Sequence, residues 1–233
     1  MEKIPKIIHQ IWIGPKKRPD IWIKTWSEDY INKFKDFEYK LWDDKNIKDI
    51  LNKYPVSKIM FEMEREYCGK ADILRYLILY EYGGIYIDAD SVWINDKNLS
   101  NLIEQTNESG VFAGFEPGSK MLANGVFGCT KNNKIILNLI NQLESYIKFG
   151  KAIRPRQYKR KRNIHGCSKI TGPVFFNGCL EKHKVTKFPS KYFYPISWFG
   201  IKTIDAHLNK DLPKGSYMFQ YGYTTNNFKK IIK

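Results

Sequence analysis

Asp88 and Asp90 stand at i and i+2 in the segment GGIYIDADSVWI, where a short apolar run gives way to polar residues. On extended backbone such a pair shares a face. Two hard oxygen donors converging at the end of a buried strand suit Mg2+ or Mn2+, cations that bridge protein carboxylates and substrate phosphates. Open α/β sheets bind their ligands at that same edge. Upstream, Asp72 and Arg75 are spaced i, i+3, which puts them on one side of a helix. Spacing alone favours an ordinary helix salt bridge; a carboxylate for sugar hydroxyls beside a guanidinium for phosphate is the functional alternative.

Other chemistries compete for the acidic pair. A solvated turn is the plainest. An EF-hand loop is excluded, because Trp93 occupies the position of the turn glycine and Leu99 that of the closing glutamate. IYIDADSVWI also fits the D-x-D-x-[TV] nucleophile pattern of haloacid-dehalogenase-type phosphatases, in which the first Asp attacks phosphorus and the second is acid/base. That chemistry needs a second acidic cluster downstream, and after Asp96 only Asp205 and Asp211 remain, in no strand-like setting. His165, Cys167, Cys179 and His183 cluster in sequence without the C-x-x-C knuckle usual in small zinc sites, so free thiols are the expected state.

The elements that must position these residues alternate in type. Ile7 to Ile13 reads as a buried strand closed by Gly14-Pro15, and Pro19-Asp20 opens an aromatic-rich helix. Phe37 to Trp42 alternates as a second strand, after which Asp43 or Asp44 is placed to cap a helix running to about Lys53. The clearest helix spans about Gly69 to Tyr82, with Ala71, Leu74, Leu77 and Ile78 spaced for one apolar face. Gly83 and Gly84 end it, and Ile85 to Ile87 follows as a short buried strand. Gly110 to Phe115 and Ala123 to Cys129 read as strands, Ile135 to Ile147 as an amphipathic helix, and Lys148 to Asn163 as a basic loop. A further helix follows Gly172-Pro173, and the tail from Phe188 is aromatic. This order predicts one α/β domain over residues 1–233, with a central, mostly parallel sheet flanked by helices.

The chain carries 39 Lys and Arg against 24 Asp and Glu, a net charge of +15. A field of that sign attracts polyanions, whether nucleic acid, acidic membrane or phosphorylated small molecules. Lys beside many Asn and Ile also fits biased base composition. Polynucleotide binding through RPRQYKRKR, Arg154 to Arg162, is the non-enzymatic alternative, but no nucleic-acid-binding motif accompanies that run. The start has no signal-peptide pattern, and the longest apolar region, Ile73 to Ile87, is interrupted by Arg75, Glu81 and two glycines. A cytoplasmic protein without a membrane span is the expectation, with peripheral contact to acidic membrane or a polyanionic acceptor open.

The opening IPKIIHQIWIG, the central KADILRYLILYEYGGIYIDAD and the later LANGVF resemble glycosyltransferase family 32, the family with a D-x-D sugar-binding region. TGP at Thr171 to Pro173 and FYPISW at Phe193 to Trp198 are similar to further family elements. The helix with its D-x-D also resembles the glucosylating domain of large clostridial toxins. The resemblance implies a GT-A, Rossmann-like fold, Mn2+ or Mg2+, a UDP- or GDP-sugar donor, a glycan, lipid or protein acceptor, and retention at the anomeric carbon. By position it implies that Trp12 stacks on the base and that Tyr86 lies near ribose or base. Asp88 then contacts ribose or sugar and the metal, Asp90 binds the metal, and Asp72, Arg75 and Asn124 hold the sugar. Near the end the family carries His and then Ser-Trp; here Tyr217 to Asn227 departs from that pattern, and Gln220 or Asn226 is left to offer an amide oxygen as third metal ligand.

Overall fold

The computed structural model describes residues 2–148, 167–208, 210–228 and 232. Strand β1 (Ile7–Ile11) leads through α1 (Asp20–Lys24), a π-helical turn (Thr25–Tyr30) and α2 (Ile31–Lys33) to β2 (Glu38–Trp42). Helices α3 (Lys48–Lys53), α4 (Pro55–Met63) and α5 (Tyr67–Tyr82) precede β3 (Gly84–Ile87) and β4 (Ser91–Trp93). Then come α6 (Ser100–Glu104), β5 (Val111–Phe115), β6 (Leu122–Cys129), α7 (Lys134–Lys148), α8 (Cys167–Ile170) and α9 (Pro173–Leu180). Strand β7 (Thr186–Phe188), α10 (Ser190–Phe193) and β8 (Met218–Gln220) complete the order.

Six strands form one sheet in the order β2-β1-β3-β6-β5-β7. Strands β1, β2 and β3 are mutually parallel, β7 is parallel to β5, and β6 runs against both its neighbours. The sheet is mostly parallel as expected, and mixed because β6 is reversed. A separate antiparallel pair joins β4 to β8, which brings the chain's C-terminal segment back to the end of β3.

The period of two sorts side chains to the two faces. Ile85 and Ile87 enter one apolar cluster with Ile8, Phe112 and Val126, while Tyr86 and Phe127 enter the other with α5, α7 and α9. Tyr86 thus points to the side on which α5 lies. That helix differs from the one-faced reading of its sequence: Asp72 to Leu79 is buried without a break. Helices α4 and α7 cover the side that would otherwise meet water. Gly83 and Gly84 take φ of +65° and +99°, and a Cβ at Gly84 would lie 2.5 Å from the Ile7 carbonyl oxygen. Glycine there permits both the reversal and the close strand pairing.

Two local expectations change. Neither Asp43 nor Asp44 caps α3, whose N-cap, Ile47, makes no side-chain bond. Asp43 Oδ1 instead accepts from Lys45 N (2.9 Å), and Asp44 Oδ2 accepts from Gly14 N (2.8 Å), tying two turns together. The basic loop at 148–163 lies outside the described residues apart from Lys148, which ends α7. No helix among the described residues is long and apolar enough to cross a membrane.

His9, buried on β1, shows how closely this core is specified. Its Nε2–H donates to Gly83 O (2.9 Å), and its Nδ1 accepts from Trp42 Nε1–H (3.1 Å), so only the neutral ring satisfies both. Burial pulls its pKa from 6.5 to about 4; Lys40 adds to this, and the Gly83 bond opposes it. Between those values only the unfolded chain takes up the proton, so stability is whole above pH 6.5 and is lost as pH falls toward 4. Denaturant unfolding of wild type and His9→Gln from pH 7.5 to 4 is expected to show wild type losing about 3 kcal/mol more than the variant. Parallel pH profiles would contradict this.

Candidate functional site

Asp88 leaves the end of β3 with its backbone fixed on every side. Its N–H donates to Gly125 O (2.9 Å), and its carbonyl accepts from Gln10 Nε2 (3.2 Å) and Ser91 Oγ (2.8 Å). The carboxylate is fixed as well: Oδ1 accepts from Tyr86 Oη (2.8 Å) and lies 3.3 Å from Arg75 Nη1. Arg75 reaches it from the middle of α5, with its guanidinium carbon 4.3 Å from the centre of the Tyr86 ring. Such stacking is attractive where water is excluded.

The same guanidinium holds a second acid. Nη2 lies 3.3 Å from Asp72 Oδ1, and Nη1 donates to Asn124 O (2.7 Å). Asp72 Oδ1 also accepts from Asn124 Nδ2 (2.8 Å), and Oδ2 accepts from Thr171 Oγ1 (2.9 Å). Tyr76 Oη closes the circuit, donating to Thr171 O (2.6 Å) and accepting from Asn124 Nδ2 (3.0 Å). Burial pushes the Asp72 carboxyl up to about 6 although Arg75, Thr171 and Asn124 all favour its ionised form.

Asp90 is gripped by the C-terminal segment. Gln220 Nε2 donates to its Oδ1, Tyr223 N to its Oδ2 (2.6 Å), and Tyr221 N to its carbonyl (2.8 Å). Burial raises both acids of the pair, and the charge of Asp88 raises Asp90 further. Meanwhile Gln220 Oε1 is buried and has no hydrogen-bond partner among the described residues. Two crowded carboxylates beside an unpartnered amide oxygen are a donor set of the hard type that Mg2+ and Mn2+ take. Among the described residues no three His, Cys, Asp or Glu cluster to form an all-protein cage. A cation held here would therefore need ligands from substrate or water.

A cavity of about 190 Å3 opens over this pair, walled by Trp12, Tyr67, Arg75, Asp88, Asp90 and Tyr223. Tyr86 also lines it. The Trp12 indole N–H is tied to Lys16 O (2.9 Å), and its ring meets Tyr223 edge-on at 5.0 Å. Of the residues singled out from sequence, Trp12, Arg75, Tyr86, Asp88 and Asp90 meet at this cavity. Asp72 and Asn124, each 5% exposed, stand behind Arg75, and Gln220 stands behind Asp90. Gln10, Tyr76, Thr171 and Tyr223 were not singled out. Only Thr171 carried a signal, in its Thr-Gly-Pro turn; Tyr223 acts through a backbone N–H, which sequence cannot mark.

Residues 17–108 match the family described as the glycosyltransferase sugar-binding region containing the DXD motif. The chain is 31% identical over 150 residues to inositol phosphoceramide mannosyltransferase 3 of Schizosaccharomyces pombe, covering 61% of this chain and 38% of that one. It is 24% identical over 214 residues to an uncharacterized glycosyltransferase of Acanthamoeba polyphaga mimivirus, covering 85% and 76%. The chain spans well under half the length of the fungal mannosyltransferases it matches. Among solved structures, PaToxG glycosyltransferase superposes with a TM-score of 0.57 at 25% identity over 78% of this chain and 70% of that one. The catalytic domain of Clostridium novyi alpha-toxin shares the fold alone, with a TM-score of 0.54 at 12% identity over 99% and 80%. Residues 17–108 therefore match the glycosyltransferase sugar-binding region that carries the DXD motif, and the fold that holds them is the GT-A fold of glycosyltransferases.

Proposed function

We propose that this chain transfers a hexose from a UDP- or GDP-sugar to a hydroxyl of a glycan, lipid or protein acceptor, with a divalent cation, Mn2+ or Mg2+, at Asp88 and Asp90. The observation that carries this reading is the pairing of those carboxylates at one wall of a cavity whose other wall is Trp12, with the unpartnered Gln220 Oε1 behind Asp90. Asp88, Asp90 and Gln220 Oε1 would hold the cation, whose charge, when bound, offsets that of a diphosphate leaving group. Trp12, braced by Tyr223 and by its bond to Lys16, presents an aromatic face for a nucleotide base. Arg75 fixes the Asp88 carboxylate and adds positive charge to the wall that faces the diphosphate. Asp72 and Asn124 act by holding Arg75 in place. Retention at the anomeric carbon is part of the proposal on the strength of the resemblance of the Asp72 to Asp90 segment.

The segment from Tyr217 to Tyr223 supports treating the whole chain as one catalytic unit, since Asp90 depends on it for its hydrogen bonds. The names of the fungal relatives, inositol phosphoceramide mannosyltransferases, support a hexose donor and make an anionic lipid one acceptor to try. The net charge of +15 suits such an acceptor. The phosphatase alternative gains nothing from the geometry: Asp88 Oδ1, held by Tyr86 and Arg75, is poorly placed as a nucleophile.

A thermal-shift screen of UDP- and GDP-hexoses with and without Mn2+ tests the reading, with stabilisation expected only when both are present. Asp90→Asn separates stability from function. An amide at 90 can accept from Tyr223 N and donate to a rotated Gln220, so the variant should melt at or slightly above wild type. Its Mn2+-dependent hydrolysis of the stabilising nucleotide sugar should fall by about 100-fold or more. Hydrolysis at the wild-type rate would refute the metal assignment. Arg75→Met, by contrast, leaves the buried Asp72 and the half-buried Asp88 without their cation and should cost about 3–5 kcal/mol in denaturant unfolding. A cost below about 1 kcal/mol would contradict the role given to that ion network.

A further inference from the structure

The loop that joins β1 to α1 runs along the rim of the cavity over Asp88 and Asp90 and is pinned there by its own backbone. Gly14, at a φ of +88°, gives its N–H to Asp44 Oδ2 (2.8 Å). Lys16 O accepts from the Trp12 indole (2.9 Å), and Lys17 O accepts from Tyr223 Oη (3.3 Å). The backbone of Lys16 is thereby fixed against the aromatic wall, whatever side chain it carries. Lys16 lines the cavity, and its Nζ stands 5.8 Å from the centre of the Tyr223 ring.

No carboxylate among the described residues lies within ion-pair distance of that ammonium. Arg18 is paired with Asp20, and Arg75 is committed to Asp72 and Asp88. Contact with an aromatic face is weak at an exposed site, so the Lys16 ammonium can turn from the ring to an anion. Its place along the cavity narrows what that anion is. Tyr223 reaches from Asp90, whose Oδ2 takes its N–H (2.6 Å), to Trp12, whose ring meets its own at 5.0 Å. An ammonium beside that ring stands between the metal pair and the wall assigned to the base. In a nucleoside diphosphate lying along the cavity, the anionic group at that level is the phosphate next to the ribose.

We infer that Lys16 binds that phosphate, and that Trp12 and Lys16 together form a half-site at which a nucleoside monophosphate docks without any divalent cation. The assignment rests on the glycosyltransferase reading above and divides the work of that site. The cation at Asp88 and Asp90 is needed only for the outer phosphate, whereas the inner one is held by a side chain of the β1–α1 loop.

The test uses the whole chain. Wild type, Lys16→Gln and Lys16→Arg are titrated calorimetrically with UMP and GMP in EDTA and with UDP and GDP in Mn2+, and nucleoside affinity is read as displacement of the diphosphate. For the base that wild type prefers, Lys16→Gln is expected to lose about 3- to 10-fold in affinity for both the monophosphate and the diphosphate. Its affinity for the nucleoside should match that of wild type, and Lys16→Arg should recover most of the loss because it restores the charge. Equal phosphate affinities in wild type and Lys16→Gln overturn the assignment. So does an equal loss for the nucleoside, which would place Lys16 on the base, and so does a deficit that Lys16→Arg leaves in full. If wild type binds the diphosphate with Mn2+ but no monophosphate in EDTA, the cation-independent half-site is overturned. Failure of wild type to bind either diphosphate with Mn2+ overturns the glycosyltransferase reading itself, and the half-site with it.

Discussion

One guanidinium inside the protein sets the terms for everything around it. Arg75 is 5% exposed, and a buried cation is tolerated only where charge and hydrogen bonds surround it. Asp72 and Asp88 supply the charge, Asn124 and Ala71 supply carbonyls, and the Tyr86 ring supplies a face. The partners come from α5 itself, from β3 and its end, and from β6, so the ion network can form only when those three elements are assembled together. In return, Asp88 is held at the edge of the sheet with one oxygen fixed and the other free to meet a ligand.

The reversed strand β6 is what lets this work. Running against β3, it brings Asn124 and Gly125 to the level of Asp88, where a parallel strand would have presented other residues. Asn124 faces α5 and supports Arg75; at Gly125, its neighbour, a Cβ would lie 2.7 Å from Asp88 Oδ2, so glycine lets β6 pack this close to the carboxylate. The second sheet makes the matching contribution for Asp90. Pairing of β8 with β4 delivers Gln220 and Tyr223 to that carboxylate from more than a hundred residues away. Two acids separated by a single residue are thus held by two separate parts of the fold.

Much of this was legible in the amino-acid sequence, for identifiable reasons. Gly83-Gly84 followed by Ile-Tyr-Ile and two acids marks a helix stop, a strand and its exposed end, because each residue type there has few alternatives. The i, i+3 spacing of Asp72 and Arg75 placed them on one side of α5. What spacing could not show was depth. Burial of α5 on every side depends on α4 and α7, which pack on it from distant positions, so a residue expected to touch sugar lies in a second layer. The direction of β6 was equally hidden, since apolar composition does not encode strand polarity.

The central claim is that Asp88 and Asp90 jointly hold a cation that a nucleoside diphosphate completes. An electron paramagnetic resonance titration of Mn2+ addresses it directly, because the free-ion spectrum disappears on binding. With UDP or GDP present, wild type is expected to remove one equivalent of free Mn2+ beyond what nucleotide alone removes, and a variant lacking both carboxylates is expected to remove none. Equal removal by both proteins, or none by either, would contradict the account.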